Sequence, residues 1–183
     1  MKLILENWRK YLTDQTEVWG YHVDPGEKVF VSDEPYTDFR NIQQETPAHG
    51  MMKPKGLWYS CGDSWFEFSK QVWDQIRGNY LYRLELGDDI LQISTEEELE
   101  QFIGRFLVSG RFGGVLDWKK IQDEGYAGVE ICPYSWDARQ YALRGDPDYE
   151  WYYPWDVASG CIWHARGVKN VELLAERTDE TNI

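Results

Sequence analysis

Residues 56–76, GLWYSCGDSWFEFSKQVWDQI, decide how the chain is read, because a strand pattern gives way there to a helix pattern within three positions. Gly56 to Cys61 predicts a strand, and Asp63 or Ser64 then offers the N-cap of a helix to about Ile76. Trp65, Phe68, Val72 and Ile76 recur along that helix at the spacing of one buried face. Arg77-Gly78-Asn79 ends it. Toward the N-terminus, residues 33–55 are rich in Pro, Asp, Gln and Thr and have no period, so they predict a long loop with a turn of helix at most. Loops of that length within a compact domain are commonly lids or binding segments. Lys28 to Ser32 reads as a short strand, separated by Pro25-Gly26 from a strand over Glu17 to Val23. Before it, Leu3, Ile4, Trp8 and Leu12 predict an amphipathic helix within residues 1–14.

Toward the C-terminus, Tyr80 to Leu86 and Ile90 to Ile93 predict a hairpin around Gly87-Asp88-Asp89. Ser94 and Thr95 precede Glu97 and Glu98 by three residues, the capping-box spacing, and Leu99, Phe102, Ile103 and Phe106 form the stripe of the helix that follows. The acids Glu96 to Glu98 suit the positive end of that helix. A short helix over Asp117 to Asp123 leads to a strand over Ala127 to Cys132. Residues 133–158, with YEWYYPWD, predict a second long loop, and strands over Gly160 to His164 and Val168 to Leu174 precede a polar, frayed tail at 177–183. Strands and helices thus alternate irregularly, without β-α-β spacing, which indicates an α+β fold in a single domain over residues 1–183.

Composition narrows the function. Nineteen basic against thirty-two acidic residues give a net charge of -13, which disfavours direct nucleic-acid binding and favours a basic protein partner. No apolar run approaches the roughly 20 residues of a membrane span, and no secretory signal is expected. Cys61, Cys132 and Cys161 lie far apart, leave one unpaired in any bridging scheme and make no C-x-x-C motif, so they are expected to be reduced core residues of a cytoplasmic protein. His22, His49 and His164 have no ligand spacing to one another or to cysteine, and no metal centre is expected. Phosphate-loop, dinucleotide and H-E-x-x-H motifs are absent from the sequence. Ten tryptophans supply both a large core and rings on which a flat ligand can stack.

Three predicted strands carry a polar residue two positions from a glycine: Gly20 with His22, Ser60 with Gly62, and Gly128 with Glu130. Residues two apart share a strand face, so each glycine is expected to clear space beside its polar neighbour, as in a ligand cleft. Glu130 is the sharpest of these, a charge between Val129 and Ile131 that must either reach water or be held by partners.

The order of these elements, with the early YHV segment, the KPKGLWYS block before a tryptophan-bearing helix and the late GYAGVEI strand, resembles the ADP-ribosyltransferase fold family. The opening MKLILENWRKYL is also similar to the starts of many phage proteins, which would place the protein in the host cytoplasm. The resemblance implies a split, mainly antiparallel sheet flanked by helices, with NAD as co-substrate and a protein as acceptor of ADP-ribose. By the same resemblance His22 would bind ribose hydroxyls, Tyr59 the nicotinamide, and Ser60 the neighbouring ribose or Glu130 itself. Glu130 would be catalytic, steadying the oxocarbenium-like ribose as nicotinamide leaves. Ideal alternation lets only one of Tyr59 and Ser60 enter a cleft, and the glycine argument favours Ser60. Trp65 is a candidate stacking ring, with core packing as its other role, and Lys55 is a candidate phosphate partner beside Lys53, Arg83 and Arg105. The chain departs from the family pattern at Gly128, where an acid or amide often orients the acceptor, and in lacking the Ser-Thr-Ser run. A different class of function remains open: a non-enzymatic acidic protein that mimics a polyanion, or a nucleotide-binding member of the same fold without chemistry.

Overall fold

A computed structural model describes residues 17–47, 52–73, 75–110 and 113–177. The predicted helix in 1–14, His49 and the tail beyond Arg177 lie outside the described residues. Among those described, strands β1 (Glu17–Val18) and β2 (Tyr21–His22) form a small hairpin. The sequence pattern predicted one strand there; Trp19 and Gly20, with φ of 50° and 86°, instead turn the chain. Gly20 therefore clears no space beside His22.

The main sheet has the order β11-β5-β3-β4-β10-β9-β6. Its strands are β3 (Lys28–Ser32), β4 (Leu57–Cys61), β5 (Tyr80–Leu86), β6 (Ile90–Ile93), β9 (Gly128–Ile131), β10 (Ser159–Ile162) and β11 (Val168–Glu176). Every pairing is antiparallel except that of β6 with β9, so the fold is α+β with a mixed sheet. The predicted hairpin of β5 with β6 does not form. Gly87 donates its N–H to the Gly167 carbonyl, β5 pairs with β3 and β11, and β6 crosses to the far edge beside β9. A separate pair, β7 (Leu107–Ser109) with β8 (Gly114–Leu116), lies outside this sheet.

Helices α1 (Ser64–Trp73), α2 (Glu96–Phe106), α3 (Trp118–Asp123) and α4 (Trp136–Leu143) flank the strands. The α2 N-terminus matches its sequence signature. Thr95 Oγ1 accepts from the Glu98 N–H, and Glu98 Oε2 accepts from the N–H groups of Thr95 and Ser94. Leu99, Phe102, Ile103 and Phe106 are buried as the stripe requires. They join Trp118, Trp151, Tyr152, Trp155 and Trp163 in the largest core cluster. Residues 133–158, predicted as loop, thus contain α4 and a 3-10 turn, Glu150–Tyr152, whose rings fill the core. Each such aromatic ring buries about 150–250 Å².

The central sheet opens between β3 and β4. They pair only at Lys28 with Cys61 and Val29 with Ser60. From Val29 to Ser32, β3 stays with β5 and leaves β4 behind. Val18, Val23, Val29, Phe66 and Leu81 form one small core beside this opening, and Phe30, Tyr59, Tyr82, Leu84 and Ile162 belong to another.

Candidate functional site

Glu130 is 5% exposed, so its charge has to be met by the protein. The strand register shows how. Tyr59 on β4, Gly160 on β10 and Glu130 on β9 lie in one row across three strands. Gly160 has no side chain to fill the middle of that row, so the Tyr59 ring lies over it, and a Cβ there would run into the ring. Tyr59 Oη donates to Glu130 Oε2 at 2.9 Å. Lys28 Nζ, from β3, stands 2.9 Å from Glu130 Oε1 and donates to Cys61 Sγ at 3.4 Å. Burial, then the Glu130 charge, pushes the Tyr59 phenol well above its ordinary range, which keeps the donor protonated.

Cys61 and Cys132 close this cluster as a disulfide, with Cα atoms 6.5 Å apart. The expectation that all three cysteines are reduced is therefore corrected. Cys61 follows the end of β4's pairing with β10, Cys132 follows β9, and the fold sets the two beyond the start of β10, a proximity that a sequence separation of 71 hides. Cys161 is free and buried.

The three residues chosen from the sequence part company. Ser60 neighbours Tyr59 on β4 and so faces the other side of the sheet from Glu130. There its Oγ accepts from the Trp65 N–H at 3.0 Å and lies 3.0 Å from Ser64 Oγ, so it holds the first turn of α1. His22 is exposed on the β1–β2 hairpin and contributes to neither side. Gly62 lies beyond β4 at a φ of 59°, and Gly128 makes room for the Cys161 carbonyl and Ile90, so neither glycine clears a ligand space. Of the cationic candidates, Lys55 pairs with Glu45, Arg83 with Glu27 and Glu172, and Arg105 with Glu124.

Ser60 instead borders a cavity of about 450 Å³ in the opening between β3 and β4. Such a volume lies in the range of small-molecule sites, about 300–1,000 Å³. Trp58, Trp65 and Trp73 line it with indole rings. The Trp65 and Trp73 rings meet edge to face at 5.5 Å, and Trp58 leans on Trp155 at 4.9 Å. Two cations line the same space: Lys53 Nζ sits 4.9 Å over the Trp58 ring, and the Arg77 guanidinium 5.7 Å over Trp73. Burial pulls the Lys53 ammonium below the ordinary lysine range, opposed by the charge of Asp156. Asp33 and Asp156 are the carboxylates on the wall. Behind Asp156, Arg139 approaches at 3.9 Å, and its buried Nη1 has no hydrogen-bond partner among the described residues.

Sequence reasoning weighed Tyr59 and Ser60 as ligand contacts, Trp65 as a ring and Lys53 as a phosphate partner, and all four line the cavity. It missed Trp73, Arg77 and Gly160. The aromatic spacing of α1 was the available signal for Trp73, and nothing local marks Gly160. No protein-family model, curated protein or solved structure matches this chain.

Proposed function

We propose that the protein binds a small molecule combining a flat ring with an anionic group, of the nucleotide class and with NAD as first candidate, in the cavity between β3 and β4. The observation that carries this reading is the pairing of indole rings with cations around one cavity: Trp58 under Lys53, and Trp73 under Arg77. Rings take a base or nicotinamide by stacking, and cations take phosphate.

ADP-ribosyl transfer, which the family resemblance implies, is the chemistry such a site would perform on NAD. It needs a carboxylate beside the ribose. Glu130 is engaged by Tyr59 and Lys28 on the opposite face, so Asp156 and Asp33 are the acids within reach of a ligand in the cavity.

Thermal shift and tryptophan fluorescence with NAD, ADP-ribose, AMP and nicotinamide test the binding. At least one nucleotide should raise the melting temperature and quench the indoles, and Trp65→Ala should weaken it about tenfold, the value of roughly one ring stack. Nicotinamide release from NAD then tests the chemistry. Release that survives Glu130→Gln but not Asp156→Asn places the acid in the cavity. Absence of any shift with all four ligands overturns the proposal and leaves the acidic, polyanion-like surface as the functional feature.

A further inference from the structure

The cluster around Glu130 is fully satisfied as an ion pair, yet it holds more ligating atoms than an ion pair needs. Cys61 Sγ, Cys132 Sγ and a Glu130 carboxylate oxygen all lie within 4.8 Å of one another. Ligands at about 2.0–2.3 Å around one tetrahedral zinc ion are separated by about 3.3–3.8 Å, a spacing the three atoms can take once reduction frees the two bonded sulfurs to move apart. Two sulfurs and one oxygen select a thiophilic, borderline-soft divalent cation over magnesium or calcium. Both cysteines are half-buried, which leaves the disulfide open to a small reductant.

We propose that when a thiol opens the Cys61–Cys132 disulfide, the two cysteine sulfurs and the Glu130 carboxylate bind one zinc-type divalent cation. In the first step two RSH molecules leave as RS–SR, and their two electrons and two protons convert the disulfide to two thiols. In the second, the cation displaces both thiol protons to solvent as the sulfurs bind as thiolates. The charges support the exchange. In the disulfide form the negative Glu130 is matched by the positive Lys28. In the metal form, two thiolates and the carboxylate carry three negative charges, matched by Lys28 and the two charges of the cation.

The surrounding donors already sit where a metal site needs them. Tyr59 Oη holds Oε2 and orients the carboxylate, and Lys28 donates to both Oε1 and Cys61 Sγ. Three protein ligands leave a fourth position for water. Either closure, disulfide or metal, ties the end of β4, a strand that borders the cavity, to the end of β9.

The test uses the full chain, reduced with a dithiol and freed of it without oxygen. Zinc titrated against a chromophoric chelator should bind at one equivalent, at least a hundredfold tighter than to the oxidised chain. Cobalt in its place should show thiolate-to-metal charge transfer in the near ultraviolet. Glu130→Gln should weaken zinc about tenfold or more while retaining that band, and Cys161→Ser should change neither. Equal affinity of reduced and oxidised protein overturns the proposal, as does a cobalt spectrum without charge transfer. A Glu130→Gln variant that binds zinc as tightly as the parent overturns the three-ligand set.

Discussion

Strand β4 separates two environments that use space in opposite ways. On one face Tyr59 reaches across Gly160, and with Lys28 and the disulfide it leaves Glu130 almost no water. On the other, Ser60 faces α1 beside an open cavity walled by indoles and cations. The closed face contains the carboxylate that looks catalytic in the sequence, and the open face contains the room for a ligand. A buried acid two strands from a cavity is therefore better judged by its partners than by its residue type. The closed face should respond to substitution through stability, and the open face through binding.

The largest effect should come from the middle of the closed row. A Cβ at Gly160 collides with the Tyr59 ring, so Gly160→Val must displace the ring and break its bond to Glu130. The expected loss is about 2–4 kcal/mol, combining overpacking with an unsatisfied buried carboxylate oxygen. Gly104 is the contrasting case. It lies on the exposed side of α2, where an added Cβ meets nothing within 4 Å. Gly104→Ala should stabilise by about 0.5–1 kcal/mol, because only helix propensity changes. Urea unfolding of both variants measures the difference; equal effects would mean that the Tyr59–Gly160–Glu130 row is not close-packed.

Next in size is the hydrogen bond itself. Tyr59→Phe should cost about 1–2 kcal/mol, since Glu130 Oε2 loses its donor inside the protein. Glu130→Gln should cost at least as much, because Lys28, with a side chain 22% exposed, then faces an amide rather than a charge. The double variant should lose less than the sum of the two, with a coupling of about 0.5 kcal/mol or more. Strict additivity in urea unfolding would show that the two side chains do not act together.

The parts of this arrangement that the sequence exposes are those carried by local chemistry. Thr95 and Glu98 sit three apart because the cap needs that spacing, and the α2 stripe follows from 3.6 residues per turn. Strand β4 and the start of α1 are legible too, but the stripe expected on α1 is not its buried face: Phe66 and Ser69 are buried, and Val72 is 54% exposed. Pairing is different. Nothing in Gly87-Asp88-Asp89 records that Gly87 will bond to Gly167, and that long-range contact sends β6 away from β5. Helix α4 escapes notice because Trp136 and Tyr141 are exposed while Ala138 and Ala142 are buried, which reverses the usual apolar stripe. The site divides along the same line. Trp65 and Lys53 are recognisable from residue type, whereas the Glu130 cluster depends on β10 laying a glycine between two strands distant in sequence. Counting three cysteines also misleads, because an odd total does not prevent two of them from pairing.

The smallest effect belongs to the open face and is read in pH rather than in stability. Burial lowers the Lys53 pKa in the folded protein, so across the interval from that value up to the unfolded lysine pKa of about 10.4 the unfolded chain binds more protons. Stability contributed by this group therefore rises with pH through that interval, while its capacity to hold an anion falls. Binding of a phosphate-bearing ligand should be strongest with Lys53 protonated, and should weaken as pH passes through the lowered pKa, before ordinary surface lysines titrate. Lys53→Met should abolish that step in affinity and leave a flat profile until those lysines lose their charge. Affinity measured by tryptophan fluorescence from neutral pH upward reads this directly, because Lys53 lies over the Trp58 ring. A step that persists in Lys53→Met would move the anion contact to another group, and no step in the parent would remove Lys53 from the ligand's surroundings.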